Sequence, residues 1–177
     1  MAKLTILTYP DPRLAQKSKP VTKFDAALKK LCDDMLETMY DAPGIGLAAP
    51  QVDVHQQLVV IDIDYDSTED EPPILSNQNP RIFINAKITK KEGEILFKEG
   101  CLSIPGEYEE VLRSEKVTVE YQDVDGKPHT LEADGLLAVA IQHELDHLEG
   151  RLFIDRLSFV KSRSVKRRIK KEKEQDE

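Results

Sequence analysis

The sequence predicts an α+β fold in which short, mostly antiparallel strands pack around one buried central helix, with an N-terminal helix outside and a C-terminal helix on the surface. Three observations carry this expectation. Apolar residues recur at three- and four-residue steps through 24–40, β-rich runs follow between 58 and 131, and the stretch 136–149 is apolar on both sides. At 177 residues, with 40% hydrophobic and 33% charged side chains, the chain has material for one core and a solvated surface. One domain spanning residues 1–177 is expected, with 161–177 as a basic tail.

The opening, Met1 to Leu14, is interrupted by Pro10 and Pro12 and lacks the apolar core of a signal peptide. The longest apolar runs, Leu58 to Ile61 and Leu136 to Ile141, are too short to cross a bilayer, so a cytoplasmic protein without membrane contact is expected. In that reducing compartment Cys32 and Cys101 are not expected to pair. Between Phe24 and Tyr40, Leu28, Leu31, Met35, Leu36 and Met39 line one helical face; Cys32 joins them as a small core filler, and Pro43 with Gly44 ends the helix. Leu58 to Ile63 reads as a buried strand, and Asp64 to Asn79 as an acidic surface loop. Further strands are expected at Arg81 to Ile88, Glu94 to Phe97, Val117 to Tyr121 and Lys127 to Leu131. Asp125 and Gly126 supply two left-handed positions for the last hairpin.

Leu136 to Glu149 is the second helix, with Asp134 as N-cap and Gly150 as its stop. At about 100° per residue, Leu136, Val139 and Ala140 share the face of His143 and His147, while Leu137, Ile141, Leu145 and Leu148 lie opposite. Ser158 onward reads as a surface helix that frays. From Lys161 to Glu177 there are eight Lys or Arg against four Asp or Glu, so the tail carries +4 and the first 160 residues carry −12 of the net −8. An acidic body argues against general nucleic-acid binding and against specific DNA binding, and leaves the basic tail as a candidate contact with RNA.

The strongest chemical signal is His143-Glu144-Leu145-Asp146-His147. Histidines four apart leave one helix face a turn apart, so both imidazoles reach one metal ion, and Glu144 sits close enough to handle a proton on bound water. Burying two His and a Glu among apolar residues without such a partner is costly. A catalytic site of this kind needs a third protein ligand and an open position. The residue six beyond His147 is Phe153, not a third His, and Glu172 or Glu174 serve only if the lysine-rich tail is buried. Cys101, in Glu99-Gly100-Cys101-Leu102-Ser103 at a strand end, is the better candidate; as thiolate with two neutral imidazoles around a dication it leaves a site charge of about +1. A nucleophilic cysteine with a histidine base leaves the second His unexplained. Directly after the first helix, Gly44-Ile45-Gly46-Leu47-Ala48-Ala49-Pro50-Gln51 lets backbone lie close to a ligand and offers the Gln51 amide, without matching any phosphate-cradling pattern.

Together these three segments resemble the bacterial peptide deformylases of type I, whose pattern is a Gly-x-Gly-Leu-Ala-Ala-x-Gln loop, a Glu-Gly-Cys-x-Ser strand end and a Gln-His-Glu-x-Asp-His helix, in this order. The similarity extends from the Tyr9-Pro10-Asp11-Pro12-Arg13-Leu14 opening through Leu152-Phe153-Ile154-Asp155. The resemblance implies a metal-dependent hydrolase that removes the N-formyl group from the formyl-methionine of new proteins. It assigns ligation to Cys101, His143 and His147, proton transfer to Glu144 as general base and then acid, and donation to the carbonyl oxygen to Gln51 and the Leu102 N–H. It also assigns a backbone contact with the peptide to Gly46 and a methionine pocket to Ile45, Phe97, Leu136, Val139 and Ala140. The implied cofactor is one divalent ion, Fe²⁺ in the cell, with Zn²⁺, Ni²⁺ or Co²⁺ compatible with the same sulfur and nitrogen donors. By the same resemblance, water activated by such an ion would attack the formyl carbon and formate would leave.

Smaller signals complete the reading. His55 and His129 are read as surface residues, Gln142 as structural, and Asp146 as either an acceptor for a ligand histidine or a partner for Arg113. Glu107 and Tyr108 are placed at a variable rim. The basic tail is a candidate ribosome contact; a monomer is the default. The rivals are a zinc endopeptidase with a tail glutamate as ligand and a non-enzymatic metal-binding module.

Overall fold

The computed structural model describes residues 3–64 and 78–175. Helix α1 (Ala26–Asp41) is followed by strands β1 (Gly46–Ala48), β2 (Leu58–Ile61), β3 (Arg81–Glu92), β4 (Ile95–Cys101), β5 (Ile104–Arg113), β6 (Lys116–Gln122) and β7 (Pro128–Asp134), then by α2 (Gly135–Leu148) and α3 (Phe159–Gln175). The strands form a five-stranded sheet in the order β1-β2-β3-β6-β7 and a separate β4-β5 ribbon, with every strand pair antiparallel. The α+β architecture is therefore as the sequence predicts. The strands are not uniformly short, since β3 has 12 residues and β5 has 10.

The sheet lies between the first two helices. Along β2, Leu58 and Val60 face the α1 residues Leu28, Cys32, Met35 and Met39, whereas Val59 and Ile61 face Ala138, Ile141 and Leu148 of α2. Successive strand residues point to opposite faces, so a strand covered on both must be apolar throughout. Asp25 caps α1 by accepting the Leu28 N–H at 3.0 Å. Asp134 occupies the N-cap of α2, but its side chain makes no capping hydrogen bond.

A third cluster joins Ile104, Val111, Leu152, Phe153 and Ile154 to Val165 and Ile169 of α3. The tail is thus not a frayed surface helix: α3 runs to Gln175, and Ser162, Val165 and Ile169 form a buried stripe that docks it. Its inward charges are paired as well, Arg168 with Glu107, Lys161 with Glu109, and Lys166 with Asp155. Among the described residues, no helix is long and apolar enough to cross a membrane.

Two local expectations change. In the β6–β7 turn only Gly126 is left-handed, at φ 81°, and Asp125 is not. Gly126 N–H donates to Asp123 O and Asp123 N–H to Lys127 O, each at 2.9 Å, so the connection is a three-residue turn with the glycine at a bulge. Of the acidic loop expected at Asp64 to Asn79, residues 65–77 lie outside the described residues; at its end Asn79 donates to Asp62 and Asp64.

Candidate active site

The two faces of α2 separate as helical spacing requires. Leu137, Ile141, Leu145 and Leu148 pack toward the sheet, while Leu136, Val139, Ala140, His143 and Glu144 line a cleft of about 740 Å³. Ile45 just before β1, Gly46 at its start, Phe97 and Cys101 from β4, Leu102 and Gln51 complete its wall, so every residue expected to touch a peptide borders this cavity. His147 lies deeper, fully buried one turn beyond His143.

At the floor, the Cys101 sulfur and one nitrogen each of His143 and His147 lie within 4.8 Å of one another. Cys101 Sγ is 3.5 Å from His147 Nε2. Among the described residues no other three such donors converge, and Glu172 and Glu174 are exposed on α3, which removes them as ligands. The donor set fits a divalent ion by its chemistry: one sulfur and two imidazoles suit borderline-soft metals. Burial opposes protonation of His143, but the Cys101 sulfur and Glu99 raise its pKa above the usual value. Burial, with His143 alongside, keeps His147 well below its usual value and hence a neutral donor.

Glu99 fixes the orientation of His143. Its Oε1 lies 2.8 Å from His143 Nδ1 and accepts that N–H, so that Nε2 is turned toward Cys101 and Glu144. Arg113 clamps the same carboxylate at 2.7 and 2.8 Å and reaches Asp146 at 2.7 Å; Arg156 holds Asp146 from the other side. Burial alone raises the Glu99 carboxyl, but the Arg113 and His143 hydrogen bonds outweigh it and keep the group ionised below its usual range. Asp146 is therefore the partner of Arg113 and not the acceptor for a histidine. Glu99, Arg156 and Ser103 are contributors to which sequence reading gives no role, and Arg113 enters it only as one alternative partner of Asp146. The available signal for Glu99 was its position two residues before Cys101 on one strand.

Glu144 Oε1 stands 3.8 Å from His143 Nε2, and Oε2 is buried with no protein partner. Such an oxygen marks a place for water or ligand. Burial pushes the Glu144 carboxyl up to about 7, an acidity suited to proton exchange near neutrality. The neighbouring backbone is glycine for a steric reason: a Cβ on Gly46 would lie 2.7 Å from Glu144 Oε1, and one on Gly44 would lie 2.7 Å from Leu102 Cδ1. The Gln51 side chain is buried, with Oε1 accepting the Ala48 N–H at 2.9 Å and Nε2 directed at Ser103 Oγ and Cys101 Sγ.

A model of the polypeptide deformylase family matches residues 3–163. The chain belongs to that family. The peptide deformylase of Chromobacterium violaceum is 54% identical over 176 residues, 99% of either chain, and that of Hahella chejuensis is 50% identical over 97% of each. Among solved structures, the peptide deformylase from Legionella pneumophila is similar at 44% identity and a TM-score of 0.86, covering 99% of this chain and 98% of that one. The Ehrlichia chaffeensis deformylase in complex with actinonin is similar at 38% identity and a TM-score of 0.86, covering 97% and 98%. Membership makes the chain a hydrolase, and the deformylase motifs lie where the cleft is built.

The remaining sequence expectations divide. Tyr108 stands at the cleft mouth with its ring against Gly100, whereas Glu107 is not at the rim but buried, with both oxygens on Arg168. His129 is exposed and bonded to Asp123; His55 is half-buried beside Asp53, and neither borders the cleft. Gln142 is structural, holding the Ser114 backbone at both N–H and C=O.

Proposed function

We propose that this deformylase removes the formyl group from the N-terminal formyl-methionine of new polypeptides, using one divalent ion held by Cys101, His143 and His147. The convergence of those three donors at the floor of an apolar cleft carries the reading. A bound divalent ion supplies a Lewis acid and an acidified water at that point. Glu144 accepts the proton of the attacking water and returns it to the departing amine. The Gln51 amide and the Leu102 N–H donate to the carbonyl oxygen as negative charge develops on it. Gly46 contributes main-chain contact to the peptide, and Ile45, Phe97, Leu136, Val139 and Ala140 hold the methionine side chain. A formyl group is small enough to reach a floor that a larger acyl group cannot.

In this reading the physiological ion is Fe²⁺, with Zn²⁺, Ni²⁺ and Co²⁺ also accepted by the donors, and the chain acts as a cytoplasmic monomer whose residues 1–177 form one catalytic domain. The test is formate release from formyl-Met-Ala-Ser. Release that stops in Cys101→Ala, with no cleavage of the internal peptide bonds, is the expected result. Peptide-bond cleavage that survives Cys101→Ala is the outcome that overturns it.

The tail supports a second reading, contact with the ribosome. Lys161, Lys166, Arg168 and Lys173 bind the body of the protein, which leaves Arg163, Arg167, Lys170 and Lys171 exposed. At about 100° per residue these four fall within roughly 100° of arc, one basic stripe suited to phosphates. Reversing the four charges should abolish cosedimentation with ribosomes and leave hydrolysis of the short peptide intact. Unchanged cosedimentation disposes of the proposal.

A further inference from the structure

Ser103 sits fully buried in the turn between β4 and β5, two residues beyond Cys101. Its hydroxyl oxygen accepts a hydrogen bond from Gln51 Nε2 at 3.0 Å, and its carbonyl accepts the Tyr9 N–H at 2.8 Å. Gln51 is pinned from three sides. Its carbonyl takes the Leu7 N–H at 2.7 Å, its Oε1 takes the Ala48 N–H at 2.9 Å, and its nitrogen lies 3.7 Å from Cys101 Sγ. The Ala48 contact settles which end of the amide is oxygen. It does not by itself settle the amide plane, because the terminal torsion of glutamine is broad.

The Ser103 oxygen supplies the missing constraint: with one N–H committed to it, the other is turned toward the floor of the cleft. We infer that Ser103 is a positioning residue for deformylation, its hydroxyl orienting the Gln51 amide so that one N–H meets the carbonyl oxygen. The inference rests on the reading of Gln51 as a donor to that oxygen. Residues 7–9 reinforce the arrangement, since Leu7 ties the Gln51 backbone and Tyr9 ties the Ser103 backbone to one segment of chain. The second N–H is the one directed toward the Cys101 sulfur at 3.7 Å; without the hydroxyl the first N–H loses its acceptor, and the amide plane is free to turn away from that direction.

The experiment compares Ser103→Ala, Ser103→Thr, Gln51→Leu and the double variant Gln51→Leu/Ser103→Ala, each loaded to equal metal content. Ser103→Ala should lose about 10- to 100-fold in kcat, the range for a misplaced catalytic group. Its KM should stay within about twofold, since a transition-state contact is what is lost. Ser103→Thr, which keeps the oxygen, should recover most of kcat. Gln51→Leu should be slow, and adding Ser103→Ala to it should cost nothing further, because nothing remains to be positioned. Full kcat in Ser103→Ala beside a slow Gln51→Leu, or losses that add in the double variant, overturn the role of Ser103 and leave that of Gln51 standing. Full kcat in Gln51→Leu instead removes the donor reading and this inference with it.

A second measurement needs no variant. In the zinc-loaded protein the two Gln51 side-chain amide protons should exchange with solvent at different rates, the one on Ser103 Oγ being protected. Equally fast exchange of both overturns the inference.

Discussion

His143 Nδ1 lies 2.8 Å from Glu99 Oε1, and that carboxylate is itself gripped at both oxygens by Arg113. In the proposed reading the pair sets the tautomer of a metal ligand and raises its basicity. Glu99→Gln should weaken divalent-metal affinity by about 10- to 100-fold, read by competition with a chelator. Unchanged affinity counts against Glu99 as the support of His143.

Glu144 is buried beside His143 with one oxygen unengaged. Glu144→Gln keeps the shape and removes the capacity to move a proton, so kcat should drop about 10²- to 10⁴-fold. Metal content should stay at the level of the unaltered protein. Turnover within a few-fold of the original assigns the proton step to another group.

Gly46 tests the same carboxylate from the backbone side. Its Cβ position falls 2.7 Å from Glu144 Oε1 and 3.0 Å from Cδ and Cγ. Gly46→Ala should push the carboxylate aside and cost about 10²-fold in kcat, with melting temperature and metal content little changed. A fully active alanine variant shows that Glu144 tolerates displacement.

The Glu107–Arg168 pair gives a pH-dependent signature for the docking of α3. The Arg168 hydrogen bonds hold the Glu107 carboxyl below its usual 4.5. A group whose folded pKa is lowered stabilises fully above its unfolded value and loses that contribution as pH falls through the folded one. The melting temperature of Glu107→Gln should therefore lie below that of the unaltered protein at neutral pH, and the gap should narrow as pH falls below 4.5 and through the lowered pKa of the folded carboxyl. A gap independent of pH assigns the effect to packing.

Much of this was legible in the sequence, and the gaps have physical causes. Periodicity placed α1 and α2, and helical spacing alone sorts Leu136, Val139 and Ala140 on α2 from Leu137, Ile141 and Leu145, as the cleft and the sheet contacts do. Strand β5 was missed because Glu107 and Arg113 occupy its inward positions, where an apolar alternation is sought; each is buried against an opposite charge supplied from elsewhere in the chain. β1 read as a glycine-rich loop since its three residues are too few for a pattern and its pairing with β2 is not local. The proposed metal donors were visible as residue types, but Glu99, 44 positions before His143, became a partner only through the fold. The α3 stripe was masked by the surrounding lysines and arginines, although Val165 and Ile169 are spaced as a buried helix face requires.

The central claim is that Cys101, His143 and His147 together hold the single ion on which deformylation depends. Formate release from formyl-Met-Ala-Ser by chelator-stripped protein, followed as a divalent metal is added back, tests it most directly. The account predicts no release at the outset and a linear rise that breaks at one ion per chain. Full-rate release by the stripped protein, or a break at two or more ions, would contradict it.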